Sequence, residues 1–274
     1  MAPSSIDPTR PDATQALTQF ATDDLADAPR AWWAIAVNEP ARALFQLDAV
    51  EVARGDKRIL GPIDLAMPAT GPVVIAGPSG SGKSSLLRLL NRLDVPTQGT
   101  VRYHGEAVAT VDPTEHRRRV AMVFQRPVVL PGTVTDNLLE ADPALSPEKV
   151  AEMLGQVGLD PGVARQQARD LSGGEAQRMC LARSLATEPD VVLFDESTSS
   201  LDPANAARIE GLAATLEQRG ITVIWVTHDL DQLRRVARWV VFLADGLVLQ
   251  AGPAAEVLAQ PVAAVADFLA AGTP

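Results

Sequence analysis

The chain has 274 residues, enough to bury a sizeable core in one large domain or two small ones. Hydrophobic residues make up 46% and charged residues 21%, as in an ordinary globular protein, and a formal net charge of −10 excludes a broad basic surface for non-specific nucleic-acid binding. A single cysteine, Cys180, excludes an intrachain disulfide, suits a reducing cytosol and is expected in the core, while no apolar run approaches the ~20 residues that a bilayer span needs.

Residues 1–42 are rich in Ala, Asp, Pro and Thr without a sustained period, and read as a poorly ordered extension. They lack the basic start and apolar stretch of a secretory signal, and Trp32 and Trp33 within them are expected to dock on the body, with docking on a partner as the alternative. Residues 44–52 alternate, with Phe45, Leu47 and Ala49 against Gln46 and Asp48, which predicts a half-buried strand. A second strand is expected over 59–67, after the turn at Gly55-Asp56.

The apolar run 73–76 leads into Gly77-Pro78-Ser79-Gly80-Ser81-Gly82-Lys83-Ser84, with Ser85 and a helical pattern behind it. Three glycines let the backbone turn tightly, so that successive N–H groups face one phosphate chain at a helix N-terminus. Lys83 is placed to reach β- and γ-phosphates, and the Ser84 hydroxyl is a hard-oxygen ligand suited to Mg²⁺. A nucleoside triphosphate is the expected ligand.

Further along, short strands are predicted over 100–103 and over 120–124, the latter ending at Gln125 and preceded by Arg117-Arg118-Arg119, read as a solvated face. Helices follow over 134–140 and 147–157, with Pro147 at a first turn and Gly158 at a stop, inside an inserted helical piece spanning about 128–171. A helix opens at Ser172-Gly173-Gly174-Glu175 and runs to about 187; the apolar strand 190–194 then ends in Asp195-Glu196. The helix 203–218 leads to the strand 221–226, ending in Thr227-His228-Asp229; a hairpin over 239–250 and short helices in the tail 253–274 finish the chain. Strand and helix in alternation imply an α/β fold, a mainly parallel sheet with helices on both faces and ligands at the carboxyl ends of strands. Gln125, Asp195, Glu196 and His228 fall at such ends. Asp195 would orient a metal shell, Glu196 would act as general base towards water, and His228 would hydrogen-bond the γ-phosphate.

Leu171-Ser172-Gly173-Gly174-Glu175 resembles the signature of the ATP-binding cassette (ABC) ATPases, and the phosphate loop, Gln125, Asp195-Glu196, Ser199-Ser200-Leu201-Asp202 and His228 follow in that family's order. The resemblance covers residues 43–252. It implies a P-loop core with an N-terminal antiparallel β piece and an inserted α-helical subdomain. It also implies ATP and Mg²⁺ as ligands, the metal being served by Ser84, Gln125 and Asp195, and catalysis by Lys83, Gln125, Glu196 and His228. The signature of one subunit would close over the γ-phosphate held by a second cassette, in a homodimer, with Asp202 linking the two sites. The segment 123–138 is similar to phosphate-importer ATPases and to a group of metal-export ATPases. The resemblance thus implies a transporter subunit at the cytoplasmic face of a membrane, bound to separate transmembrane permease subunits, with a substrate-binding protein in the case of an importer and no nucleic acid. A soluble assembly or scaffold factor, or a regulatory cassette that binds ATP without turnover, are the rival readings. Arg54 stands where the family has an aromatic residue against adenine, and guanidinium stacking is the expected substitute. Ser197 replaces a common proline, and Ser85 a common threonine.

Overall fold

The computed structural model describes residues 43–199 and 201–271; the expected extension 1–42, with Trp32 and Trp33, lies outside the described residues. Two 12-residue strands, β1 (Ala43–Arg54) and β2 (Lys57–Pro68), form an antiparallel hairpin in which Leu47 faces Leu65 and Arg54 faces Lys57. Residues 57–68 and 43–54 thus extend the expected strands to the turn on both sides. β4 (Gln98–Tyr103) and β5 (Glu106–Ala107) complete a sheet of order β2-β1-β4-β5.

A second, six-stranded sheet has the order β10-β9-β3-β8-β7-β6. β3 (Val73–Ala76), β6 (Val120–Val123), β7 (Val191–Asp195), β8 (Thr222–Thr227) and β9 (Trp239–Ala244) pair in parallel, and every residue in them is buried. β10 (Leu247–Pro253) returns antiparallel to β9, closing the predicted hairpin at Asp245-Gly246. Burial on both faces explains why these strands read as apolar runs and not as alternations. The two-residue period still sorts their side chains. Val73, Ile75, Leu193, Ile224 and Val241 point to a core shared with the first sheet. Val74, Phe194, Trp225 and Phe242 point to the opposite core, under the helices, where Phe194 and Trp225 stack at 4.3 Å.

α1 (Lys83–Leu90) sinks Leu86, Leu87, Leu89 and Leu90 between the sheets, each fully buried leucine stabilising by about 1.5–3 kcal/mol. α3 (Val134–Leu139) and α4 (Pro147–Gln156) form the expected helical piece, with Thr133 and Ser146 capping their N-termini. α5 (Gly173–Leu185) and α6 (Pro203–Gln218) lie where the sequence placed them, followed by α7 (Leu230–Val236), α8 (Ala254–Ala259) and α9 (Ala263–Ala271). Cys180 is buried on α5, as expected. No helix among the described residues is long and apolar enough to cross a membrane.

Two α-helices lie outside the sequence expectation, α7 and α2 (Pro113–Arg119). α2 takes up the arginine run, with Asp112 accepting from the N–H groups of Thr114 and Glu115. Arg119 pairs with Asp190 at 2.9 Å, a half-exposed contact worth at most about 1 kcal/mol. The inward face of α2 carries His116, 1% exposed, whose Nε2–H donates to the Leu90 carbonyl at the end of α1 (2.7 Å). Burial holds its pKa below the ordinary value; the Leu90 bond opposes this, and the charges of Arg119, Arg92 and Arg117 add to it. The unfolded chain therefore takes up a proton at higher pH than the folded one, and stability falls as pH drops below the unfolded value of about 6.5. In urea unfolding, His116→Gln, which keeps a donor for Leu90, is expected to lack this component, so that its stability deficit relative to the wild type shrinks from pH 7.5 to 5.5. A deficit that stays constant with pH would contradict the assignment.

Candidate nucleotide-binding and hydrolysis site

The loop 77–82 leaves the buried end of β3 and re-enters the fold as α1. Gly77 takes φ 147°, and a Cβ there would lie 1.9 Å from the Leu243 carbonyl oxygen of β9; at Gly82, φ 102°, it would lie 2.5 Å from a Leu60 methyl. Glycine is obligatory at both for conformation and for space. Ser79 and Gly80 face solvent, while Ser81 is buried with its Oγ lacking a hydrogen-bond partner among the described residues. Lys83 is buried and donates to the carbonyls of Gly77 (3.0 Å) and Pro78 (2.8 Å), so the loop curls around its own ammonium group. Burial lowers the Lys83 pKa, opposed by the charges of Glu196 and Asp195.

Parallel pairing brings the ends of β7 and β8 beside this loop. Ser84 Oγ donates to Asp195 Oδ1 at 2.7 Å, across 111 residues of sequence. Asp195 is buried, and burial raises its pKa against the pull of the Ser84 bond. Glu196 sits one residue past β7 with φ 46°, a left-handed conformation that costs a non-glycine residue of order 1–3 kcal/mol and turns its carboxylate into the cleft. That carboxylate lies 3.9 Å from Lys83 Nζ, 3.4 Å from His228 Nδ1 and 3.4 Å from Gln125 Nε2. Gln125 also reaches the Ser199 hydroxyl (3.3 Å), which donates to the Glu196 carbonyl (2.8 Å). Ser199 thereby holds both the Gln125 amide and the strained Glu196 turn, a positioning role that no spacing in the sequence announced.

An open cleft of about 810 Å³ runs from Glu196 and His228 along Thr198, Leu201 and Gln232. One cation, two carboxylates, an imidazole and a carboxamide thus converge on a single rim, the groups that positioning and charge stabilisation in phosphoryl transfer call for.

Leu171 packs on the helical core, while Ser172 and Gly173 are exposed and Gly174 and Glu175 half-buried. Ser172 Oγ donates to Glu175 Oε2 (2.6 Å), and the Ser172 N–H donates to the same oxygen (2.9 Å), a reciprocal cap that also lowers the Glu175 pKa. The N-terminus of α5 therefore opens to solvent and is accessible to a second molecule. Gln177, one turn further on, is 1% exposed and donates to the Phe124 carbonyl (2.9 Å), tying α5 to the residue before Gln125; its place in a helix pattern gave no hint of that contact. Asp202 caps α6 through Ala204 and Asn205 N–H groups. Arg54 is tied at one edge of its guanidinium: Nη2 is 2.9 Å from Asp94 Oδ2, on the loop after α1, with the Arg54 side chain 58% exposed.

The family profile described as ABC transporter matches residues 60–199. ABC transporter I family member 17 of Arabidopsis thaliana is 43% identical over 209 residues, 74% of this chain and 79% of that protein. The phosphate import ATP-binding protein PstB of Mycobacterium intracellulare is 40% identical, with 76% and 78% covered. Among solved structures, CbiO1 of Clostridium perfringens, described as part of the ABC transporter complex CbiONQ, superimposes with a TM-score of 0.71 at 25% identity, covering 80% of this chain and 92% of that one. A bacterial Atm1-family ABC exporter with ATP bound gives 0.75 at 25% identity, covering 85% and 43%. On its motifs, its two-sheet architecture and these relatives, the chain belongs to the ABC transporter family and is an ATP-binding cassette ATPase.

Proposed function

We propose that the chain is the ATP-hydrolysing subunit of a transporter and acts as a head-to-tail pair, two copies of itself, attached to separate permease subunits on the cytoplasmic face of a membrane. The observation that carries this reading is the division of the chemistry: Lys83, Ser84, Asp195, Glu196 and His228 converge on one rim, while the capped N-terminus of α5 faces outward as a second, unused anion site. ATP would lie in the loop 77–82, Lys83 exchanging its bonds to Gly77 and Pro78 for phosphate oxygens. The residues present fit Mg²⁺: Ser84 and Asp195 offer hard oxygens side by side, with Gln125 nearby, leaving other ligand positions to phosphate and water. When bound, the metal neutralises charge on the β- and γ-phosphate oxygens.

Glu196 accepts a proton as the water oxygen bonds to the γ-phosphorus; the bond to the β-phosphate oxygen breaks, and ADP and phosphate leave. His228 donates to the γ-phosphate, and Gln125 positions the water. Ser172 and Gly174 of the partner copy complete the donor shell, and Asp202 connects the two sites. Phosphate or another anion is the proposed cargo, and import the direction, supported by the segment 123–138 and by phosphate-import relatives; a substrate-binding protein would deliver it. Metal export is the alternative direction and cargo. Arg54, fixed by Asp94, offers a guanidinium face to the base.

Glu196→Gln is expected to lower turnover about 10²–10⁴-fold while retaining ATP binding, and to accumulate a dimer with ATP and Mg²⁺ in size-exclusion chromatography. Unchanged hydrolysis would refute the general base. Isolated from its native membrane, the wild-type chain is expected to carry a multispanning protein with it. Recovery from the soluble fraction alone would favour a scaffold or assembly factor over transport.

A further inference from the structure

The two surfaces that a second copy would touch, the α5 N-terminus and the Asp202 turn, belong to different elements, and one side chain outside every motif joins them. Asn205, on the first turn of α6, donates from Nδ2 to Asp202 Oδ2 at 2.6 Å and accepts at Oδ1 from Arg178 Nη1 of α5, also at 2.6 Å. Arg178 is 5% exposed, and its Nε has no hydrogen-bond partner among the described residues, so Asn205 supplies a contact that this buried guanidinium needs. The same amide fills the space beside Gly174: a Cβ on Gly174 would lie 3.0 Å from Asn205 Cγ and Nδ2. Gly174 is therefore small for a reason internal to the chain as well as for nucleotide approach.

We propose that Asn205 is a positioning residue that locks the Asp202 turn and the Ser172–Gly174 helix tip into one register, so that both meet the partner copy together. The proposal rests on the head-to-tail reading above. Three residues before Asp202, Ser199 is bonded to the Glu196 carbonyl and to Gln125, so the segment that Asn205 ties to α5 begins beside the subunit's own hydrolysis rim. Fixing the two surfaces beforehand removes an ordering cost that association would otherwise carry.

Asn205→Asp keeps the acceptor for Arg178 and replaces the donor facing Asp202 by a second carboxylate oxygen. In the Glu196→Gln background, sedimentation with ATP and Mg²⁺ is expected to show an about tenfold weaker dimer, the scale of one hydrogen bond lost. ADP affinity of the monomer is expected to stay unchanged, and the carboxylate gained against Arg178 is expected to hold the melting temperature within a few degrees of the Glu196→Gln background. The exchange Asp202→Asn with Asn205→Asp restores a donor–acceptor pair, keeps a competent N-cap, and is expected to recover dimerisation. Equal dimerisation of Asn205→Asp, a fall in ADP affinity alongside it, or an exchange variant that recovers nothing would each overturn the positioning role. If Glu196→Gln itself stays monomeric, the head-to-tail reading fails, and the proposal with it.

Discussion

Parallel registration of β3, β8 and β7 is the constraint from which the site follows. The strands align Ala76 with Thr227 and Asp195 with Val226, so the phosphate loop, the acidic pair and His228 emerge at one edge of the sheet without any of them needing a long loop to get there. Parallel strands must be buried on both faces, which demands a second sheet on one side and helices on the other. The architecture is in that sense the cost of bringing three strand ends together.

Electrostatics at that edge suit a polyanion. Lys83 is buried and depressed, and its bonds to the Gly77 and Pro78 carbonyls satisfy it only by folding the loop inward. Burial raises the Asp195 pKa, Ser81 Oγ has no hydrogen-bond partner among the described residues, and Glu196 stands in a left-handed conformation. Each is a small local penalty, and together they mark where incoming phosphate oxygens would be received most favourably. Ser199 and Gln177 act on the backbone beside those groups. They fix the backbone on either side of Gln125 and Glu196, and so set where those groups point.

Much of this was legible because runs such as 73–76 and 191–194 are apolar without interruption and because each motif sits at the end of one. α2 escaped because its seven residues are mostly polar and arginine-rich; the Asp112-Pro113 pair, a cap followed by proline in the first turn, was the available signal. Arg54 shows the opposite limit. Its sequence position suggested a free guanidinium, but its partner Asp94 lies 40 residues away, at a separation that no local pattern reports. Asn205 and Gln177 were hidden for the same reason: ordinary polar residues in a helix, given meaning only by what the tertiary fold sets beside them.

The central claim is that each nucleotide is enclosed by the phosphate loop of one copy and the α5 tip of another. Mixing two inactive variants tests it directly. Lys83→Ala spoils only the loop and Ser172→Glu only the tip, so a mixed pair retains one complete site. ATP hydrolysis by the mixture well above the sum of the separate variants is the result this account predicts; activity equal to that sum would mean that loop and tip serve the same nucleotide within one chain, and would contradict it.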